Sequence, residues 1–360
     1  VTTATSQLFT PFPLRALTLR NRIGVSPMCQ YSSVDGFADD WHLVNLGAFA
    51  TGGAALVFSE ATAVVPEGRI SPQDLGIWKD EHVPMLRRIT DFVHAQGAIA
   101  GIQLAHAGRK ASTRRPWEGR GALSLDQGGW SNVRAPSAVP FSPDYPMPQP
   151  LSLEEIAQVI DAFAAAAARA LAAGFRVAEL HAAHGYLMHE FMSPLSNQRT
   201  DAYGGNFDNR VRLTCEITRA VRDVWPDEWP VVVRISATDW ADGGWTIDES
   251  VQLAQRLKTL GVDLVDVSSG GLAAHQQIAA APGYQVPFAR RVKHDAGIAT
   301  AAVGLITEPA QAEQVVADGD ADMVLLAREL LRNPHWPLHA ARALGVEGPW
   351  PKQYERARLR

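Results

Sequence analysis

Arg176-Val177-Ala178-Glu179-Leu180-His181-Ala182-Ala183-His184-Gly185-Tyr186 is a short apolar run that ends in two histidines, a glycine and a tyrosine. Similar runs rich in Val, Ile, Leu and Ala recur along the chain. They lie at Arg22–Ser26, Ala55–Thr62, Ile99–Ala105, Arg176–Ala182, Val231–Ala237, Leu264–Ser268, Ile298–Gly304 and Met323–Ala327. Each is followed by a longer stretch with helical spacing. His82, Leu86, Ile89 and Val93 recur three and four apart, as do Ile156, Val159, Ile160, Phe163 and Ala167. Ser152 and Glu155 stand at capping-box spacing and start that second helix. Val251, Ala254 and Leu257 form a third stripe, with Gly261 where a helix C-terminus favours glycine.

Eight strands alternating with helices imply a parallel sheet covered by helices. Six would suggest a doubly wound dinucleotide fold, but no G-x-G-x-x-G follows the first strand. The count therefore predicts an α/β protein with a single (β/α)8 TIM barrel spanning 1–360. Working residues of such barrels sit where strands end. Here those ends carry Ser26 to Cys29, Glu60 to Thr62, Gln103 to His106, His181, His184, Arg234, Ser268 to Gly271, Gly304 and Arg328. Histidine, glutamine and arginine are not turn formers, so more than chain reversal is being served. Three additions extend the minimal barrel: an N-terminal hairpin at 13–21, a long loop after the third strand at 107–150, and a C-terminal arm at 346–360. The loop carries Trp117 and Trp130 and many prolines; it reads either as a decorative surface insertion or as a lid over the top face, and its two buried-type tryptophans tilt the reading towards the lid.

Composition agrees with one large core: 46% of residues are hydrophobic and 20% charged, in 360 residues. The net charge of −5 lacks the basic excess of a nucleic-acid binder. Two cysteines, Cys29 and Cys215, cannot build a disulfide framework, which suggests a reducing compartment. Val1–Arg22 has no signal-peptide apolar core, and the run Ala162–Ala168 is too short to span a bilayer. The expectation is a cytoplasmic enzyme with no membrane and no nucleic-acid partner.

At the fourth strand end, two imidazoles could polarise a carbonyl oxygen, with Tyr186 offering a proton nearby. A metal site is the alternative, but no H-E-x-x-H is present; Glu179 shares a strand face with His181, and two histidines alone make a weak metal case. Adding hydride and a proton across an activated double bond would suit the first arrangement. Hydride requires a cofactor. Arg234 could balance charge on a reduced flavin, and Gln103 matches the amide edge of an isoalloxazine. Gly304, Ala327 and Arg328 end the seventh and eighth strands, where barrels commonly hold phosphate. Cys29 reads either as a small buried hydrophobe or as a tuner of a flavin beside it; Cys215 reads as core.

The assembled motifs are specific. They are Ser26-Pro27-Met28-Cys29-Gln30-Tyr31, Glu60-Ala61-Thr62, Gln103 to Lys110, His181 to Tyr186, Arg199-Thr200-Asp201-Ala202-Tyr203-Gly204-Gly205, Ala302-Val303-Gly304, Glu329-Leu330-Leu331 and Gln353-Tyr354-Glu355-Arg356. Over essentially its whole length the chain resembles the Old Yellow Enzyme family of FMN-dependent ene-reductases, in the bacterial branch of the thermophilic-like enzymes and xenobiotic reductase A. That resemblance implies tightly bound, non-covalent FMN, with NADPH or NADH as hydride donor and activated alkenes such as α,β-unsaturated carbonyl compounds and nitroalkenes as acceptors. It implies that Ser26, Pro27, Met28 and Cys29 line the flavin, and that Ala61, Gln103 and Arg234 hold its ring. Gly304, Ala327 and Arg328 would hold the phosphate. His181 and His184 would bind the acceptor oxygen, Tyr31 would touch the acceptor and Tyr186 would donate the proton. Arg356 would reach a neighbouring site in a homodimer or homotetramer. No metal is implied. Two departures stand out: Ala327 occupies a position usually held by glycine, and the segment Thr113 to Arg134 is longer than the thermophilic-like pattern.

Overall fold

The alternation of apolar runs and helices closes into a barrel. The computed structural model describes residues 6–358, so residues 1–5 of the expected domain and 359–360 of the expected arm lie outside the described residues. Strands β1 (Phe12–Leu14) and β2 (Leu17–Leu19) form an antiparallel hairpin. Barrel strands β3 (Ile23–Val25), β4 (Leu56–Ala63) and β5 (Ile99–Ala105) follow. The short strands β6 (Arg134–Ala135) and β7 (Gln149–Pro150) pair within the insertion. The barrel then resumes with β8 (Val177–Ala182), β9 (Val231–Ser236), β10 (Leu264–Ser268), β11 (Ala299–Ala302) and β12 (Met323–Leu326). All eight expected strands are present, within three residues of their expected ends. They close in chain order, with β12 pairing back to β3.

The helices return each strand to the same edge of the sheet, which keeps all eight parallel. Their ends follow local chemistry. The helix Leu153–Ala172 begins with the expected capping box: Glu155 N–H donates to Ser152 Oγ at 3.1 Å, and Ser152 N–H donates to Glu155 Oε2 at 2.8 Å. Such a cap is worth about 1 kcal/mol. Ile156, Val159, Phe163 and Ala167 of that helix are buried, as are Val251, Ala254 and Leu257 of the helix Ile247–Thr259.

Strand alternation makes two separate cores. Outward residues such as Leu180, Val233, Val265 and Val324 pack against the helices. Inward residues Leu56, Phe58, Val177, Val232, Leu264, Met323 and Leu325 fill the lower barrel. The hairpin seals this second core from below with Phe12, Leu14, Leu17 and Leu19. Burying each such side chain contributes about 2 kcal/mol.

The 107–150 insertion has internal structure. It contains 3-10 turns at Gly108–Lys110, Pro116–Glu118 and Leu125–Gln127 besides the β6–β7 pair. One part of the expectation fails here. Trp130 is half-buried and donates from Nε1 to Glu67 O at 3.2 Å, but Trp117 is 64% exposed. Trp117 meets Tyr31 edge-on at 5.7 Å between ring centroids and leaves much of its surface to solvent. Cys215 is half-buried and packs on the rim of the outer core rather than within it.

Candidate active site

Three inward series along the strands show how the site arises. On β8 the order is Val177, Glu179, His181; on β9 it is Val232, Arg234, Ser236; on β10 it is Leu264, Asp266, Ser268. The first member of each lies in the sealed lower core. The next two bring charge and hydrogen-bonding groups into the upper barrel. Register joins them across strands: Gln103 opposes Glu179, His181 opposes Arg234, and Arg234 opposes Asp266.

The strand β4 needs an extra residue to join this layer. Phe58 opposes Gly101, but Ala61, three residues on, opposes Gln103 only two on. This bulge re-aims the strand. Ala61 takes the register position beside Gln103. Glu60 instead accepts from the Gln30 N–H at 3.0 Å and lies 3.2 Å from His42 Nε2. The neighbouring Cys29 thiol is pushed up by burial and by the Asp74 and Glu60 carboxylates, which keeps it protonated.

Several buried polar atoms in the upper layer have no hydrogen-bond partner: Ser26 Oγ, Glu179 Oε2, His181 Nδ1, Arg234 Nε and both Asp266 oxygens. Arg234 Nε approaches Asp266 Oδ2 to 3.0 Å without hydrogen-bond alignment. Each unsatisfied buried group costs about 1–3 kcal/mol, so their convergence indicates a place built for a polar ligand. Gln103 donates to Glu179 at 2.7 Å. Burial, then Asp266, raises the Glu179 carboxyl; burial raises Asp266 to about 6 against the pull of Arg234.

Beyond β8 the chain makes a tight turn with two consecutive left-handed residues, His184 at φ 59° and Gly185 at φ 72°. Glycine is required at 185, because a Cβ there would strike the Gly271 backbone. The turn is held from four directions. His184 N–H donates to Ser236 Oγ at 2.9 Å, and its Nε2 lies 2.8 Å from Ser268 Oγ. Gly185 N–H donates to His189 Nδ1 at 3.0 Å, and His189 Nε2 lies 2.8 Å from Asp239. Lys110 Nζ donates to the His184 carbonyl at 2.8 Å. The outcome is a compact cluster: the His181 ring centroid stands 5.1 Å from that of His184 and 4.9 Å from that of Tyr186. Burial and then Arg234 hold both imidazoles well below their usual range, so they are neutral donors at pH 7. Burial raises the Tyr186 phenol, which keeps its proton. Tyr31, at φ 51°, faces the same region; burial, then Cys29 and Tyr186, raise its phenol.

Between the ends of β11 and β12 lies a cavity of about 250 Å³ lined by Gly304, Ala327, Arg328, Tyr284 and Gln285. Gly304 has φ 116°, and a Cβ there would crowd Gln285, so glycine keeps this floor open. An arginine beside exposed backbone suits a phosphate group. The unpartnered upper layer and this cradle together fit a ring system joined to a phosphate.

Among the expected residues, Ser26, Cys29, Tyr31, Ala61, Gln103, His181, His184, Tyr186 and Arg234 surround one region, with Pro27 on the same loop, whereas Met28 packs against the outer core beside Leu46 and Phe49. Gly304, Ala327 and Arg328 line the adjoining cradle. Arg356 is not brought to this chain's own cluster. It is exposed on the 3-10 helix Lys352–Ala357, whose arm is entered past Pro349, packed on Gly53 ahead of β4. Sequence reasoning missed the partners Asp266, Ser236, Gln285 and His189; it picked out Ser268 at a strand end and Lys110 in a motif but gave neither a role. Only Asp266 carried a signal, as a lone acid inside an apolar run.

Residues 7–347 match the profile of the NADH:flavin oxidoreductase / NADH oxidase family. The chain is 49% identical over 351 residues to an NADPH dehydrogenase of Geobacillus thermodenitrificans (strain NG80-2), covering 97% of this chain and 98% of that protein. Among solved structures it superposes on morphinone reductase in complex with tetrahydroNAD, with TM-score 0.79 and 25% identity over 97% of this chain and 94% of the other. It also superposes on a 2-naphthoyl-CoA reductase complex, with TM-score 0.84 and 24% identity; that match covers 94% of this chain but only 52% of the longer protein, and carries the fold alone.

Proposed function

Since the chain belongs to the NADH:flavin oxidoreductase / NADH oxidase family, we propose that it is an ene-reductase, reducing the activated C=C bond of α,β-unsaturated carbonyl compounds and nitroalkenes. The resemblance to Old Yellow Enzyme holds, and the protein is an FMN-dependent oxidoreductase that uses a nicotinamide donor. When bound, FMN supplies the hydride chemistry, accepting hydride from NADPH and delivering it to an acceptor, which no side chain can do.

The residues assign themselves to roles by chemistry. Ser26 Oγ and the Arg234 guanidinium, left without hydrogen-bond partners at Oγ and Nε, would hold the flavin ring together with Gln103, Ala61 and the Pro27–Cys29 loop. Gly304, Ala327 and Arg328 would hold its phosphate. His181 and His184 would donate to the acceptor's carbonyl or nitro oxygen. Because both are neutral, they donate without adding a buried charge to the resting site. Preorganised donors of this kind contribute about 3 kcal/mol each to transition-state stabilisation. Tyr186, protonated at neutral pH and in edge contact with His181, would protonate the carbon next to the activating group. Tyr31 would contact the acceptor, and the insertion would act as a lid. Arg356, exposed on the arm, would complete a neighbouring subunit's site.

The carrying observation is the His181–His184–Tyr186 cluster above the unpartnered polar layer. Anaerobic mixing tests it. The yellow protein should bleach with NADPH and recover colour with cyclohex-2-enone, and recovery should fail in the His181→Ala/His184→Ala variant while FMN stays bound. A colourless protein that cannot be reconstituted with FMN would defeat the reading.

A further inference from the structure

Lys110 is a lysine on the 3-10 turn after β5 that has no role in the chemistry above. Its ammonium donates to the His184 carbonyl at 2.8 Å and also to the Gly271 carbonyl. It lies 4.2 Å from the centre of the Phe141 ring, in the insertion, and 5.7 Å from that of Tyr186. Its neighbour Arg109 repeats the pattern, donating to Leu272 O at 2.7 Å and to Val139 O at 3.2 Å. Two adjacent cations at the start of the insertion therefore join its later part, 139–141, to the loop after β10. Lys110 alone also grips the turn that carries His184.

That turn has reason to need a grip. A non-glycine residue at φ 59° is held there by its surroundings. Of the contacts on its backbone, Ser236 takes the N–H and Lys110 takes the carbonyl. We propose that Lys110 is a positioning residue that ties the acceptor-binding turn at His184 to the insertion through Phe141, so that closing the mouth and aligning His184 are one event. This rests on His184 holding the acceptor oxygen, as proposed above.

The linkage is sensitive to charge. Burial, then Arg109, pushes the Lys110 ammonium down to about 7, with Glu190 opposing. The groups facing it are Arg109 on its own turn, Glu190 on the helix Leu187–Met192, and His181, His184 and Tyr186 around the turn. The two imidazoles stay neutral and the phenol stays protonated near neutrality. Burial raises Glu190 to about 8, against Arg109 and Lys110. Below about 7 the ammonium is charged and donates to both carbonyls. Above that it becomes an amine, weakening its attraction to the Phe141 ring.

The test uses the FMN-loaded full chain, its Lys110→Met variant and, because changing a half-buried, hydrogen-bonded lysine can impair folding, a second variant, Phe141→Leu, at the half-exposed partner. Backbone hydrogen exchange over Ser137–Tyr145 and the pH profile of kcat/KM for cyclohex-2-enone are the readouts. Lys110→Met is expected to lower kcat/KM about tenfold or more at pH 6 by misplacing His184, to remove the wild-type decline above about pH 7, and to speed exchange in 137–145. Phe141→Leu is expected to speed the same exchange and to raise KM more than it lowers kcat. Unchanged exchange and an unchanged pH profile in either variant would overturn the proposal. Wild-type protein that does not reduce the enone, while exchange still responds to both variants, would fault the ene-reductase reading and leave the mechanical link standing.

Discussion

The lower and upper halves of the barrel interior are built from the same strands and behave as opposites. Below, Leu56, Phe58, Val177, Val232, Leu264 and Leu325 interdigitate and the hairpin closes the end. Above, two residues further along β8, β9 and β10, Glu179, Arg234 and Asp266 bury charge with incomplete pairing. One inward step along each strand separates a core that is satisfied alone from a layer that needs a ligand. The lower half supplies the stability that lets the upper half keep unsatisfied groups in place.

The comparison breaks most visibly at the histidines. His181→Ala/His184→Ala should reduce enone turnover by about a thousandfold or more, since two preorganised donors are lost, while the yellow colour and the thermal midpoint stay near wild type. A comparable loss of FMN would mean that the pair is part of the flavin's hold instead. In the lower half, Phe58→Ala should do the converse. It should cost about 4 kcal/mol of stability in denaturant unfolding through the cavity it leaves, with kcat per folded molecule unchanged. A large fall in kcat would show that the two halves are not separable. Tyr186→Phe should slow reoxidation by enone about a hundredfold or more and leave reduction by NADPH nearly untouched; equal effects on both would remove it as proton donor.

The smallest effect sharpens the contrast through pH. His181 and His184 are held below the ordinary value of 6.5 in the folded chain. As pH falls through 6.5 the unfolded chain takes up protons that the native site refuses, so stability declines on acidification from that point down to the lowered folded values. The slope of unfolding free energy against pH, measured between about pH 7 and 5, should be shallower in the double variant than in wild type. Equal slopes would show that these imidazoles take up protons in the native site as readily as in the unfolded chain.

Much of this contrast is legible in the sequence. The eight strands, the hairpin and the long insertion follow from apolar spacing and turn chemistry. The series Val177, Glu179, His181 states its own inward order. What could not be read was pairing across the barrel. The bulge between Phe58 and Ala61 has no glycine or proline to announce it, yet it sends Glu60 to His42 and Ala61 to the site's side. Lys110 and Ser268 are ordinary polar residues in sequence, and only closure of the barrel brings them to His184. Trp117 reads as buried by type, but its neighbour Tyr31 covers one edge and leaves it 64% exposed. Arg356 stays outside this chain's own site, exposed on the C-terminal arm.

The central claim is that the upper half of the barrel holds FMN and passes its reducing power to an activated alkene held by two neutral histidines. It is tested most directly by anaerobic titration of the purified protein, followed at the visible flavin band. The account predicts bleaching by one equivalent of NADPH and full recovery of colour on adding one equivalent of cyclohex-2-enone, with the saturated ketone as product. Bleaching without recovery, or recovery without the saturated ketone, would contradict it.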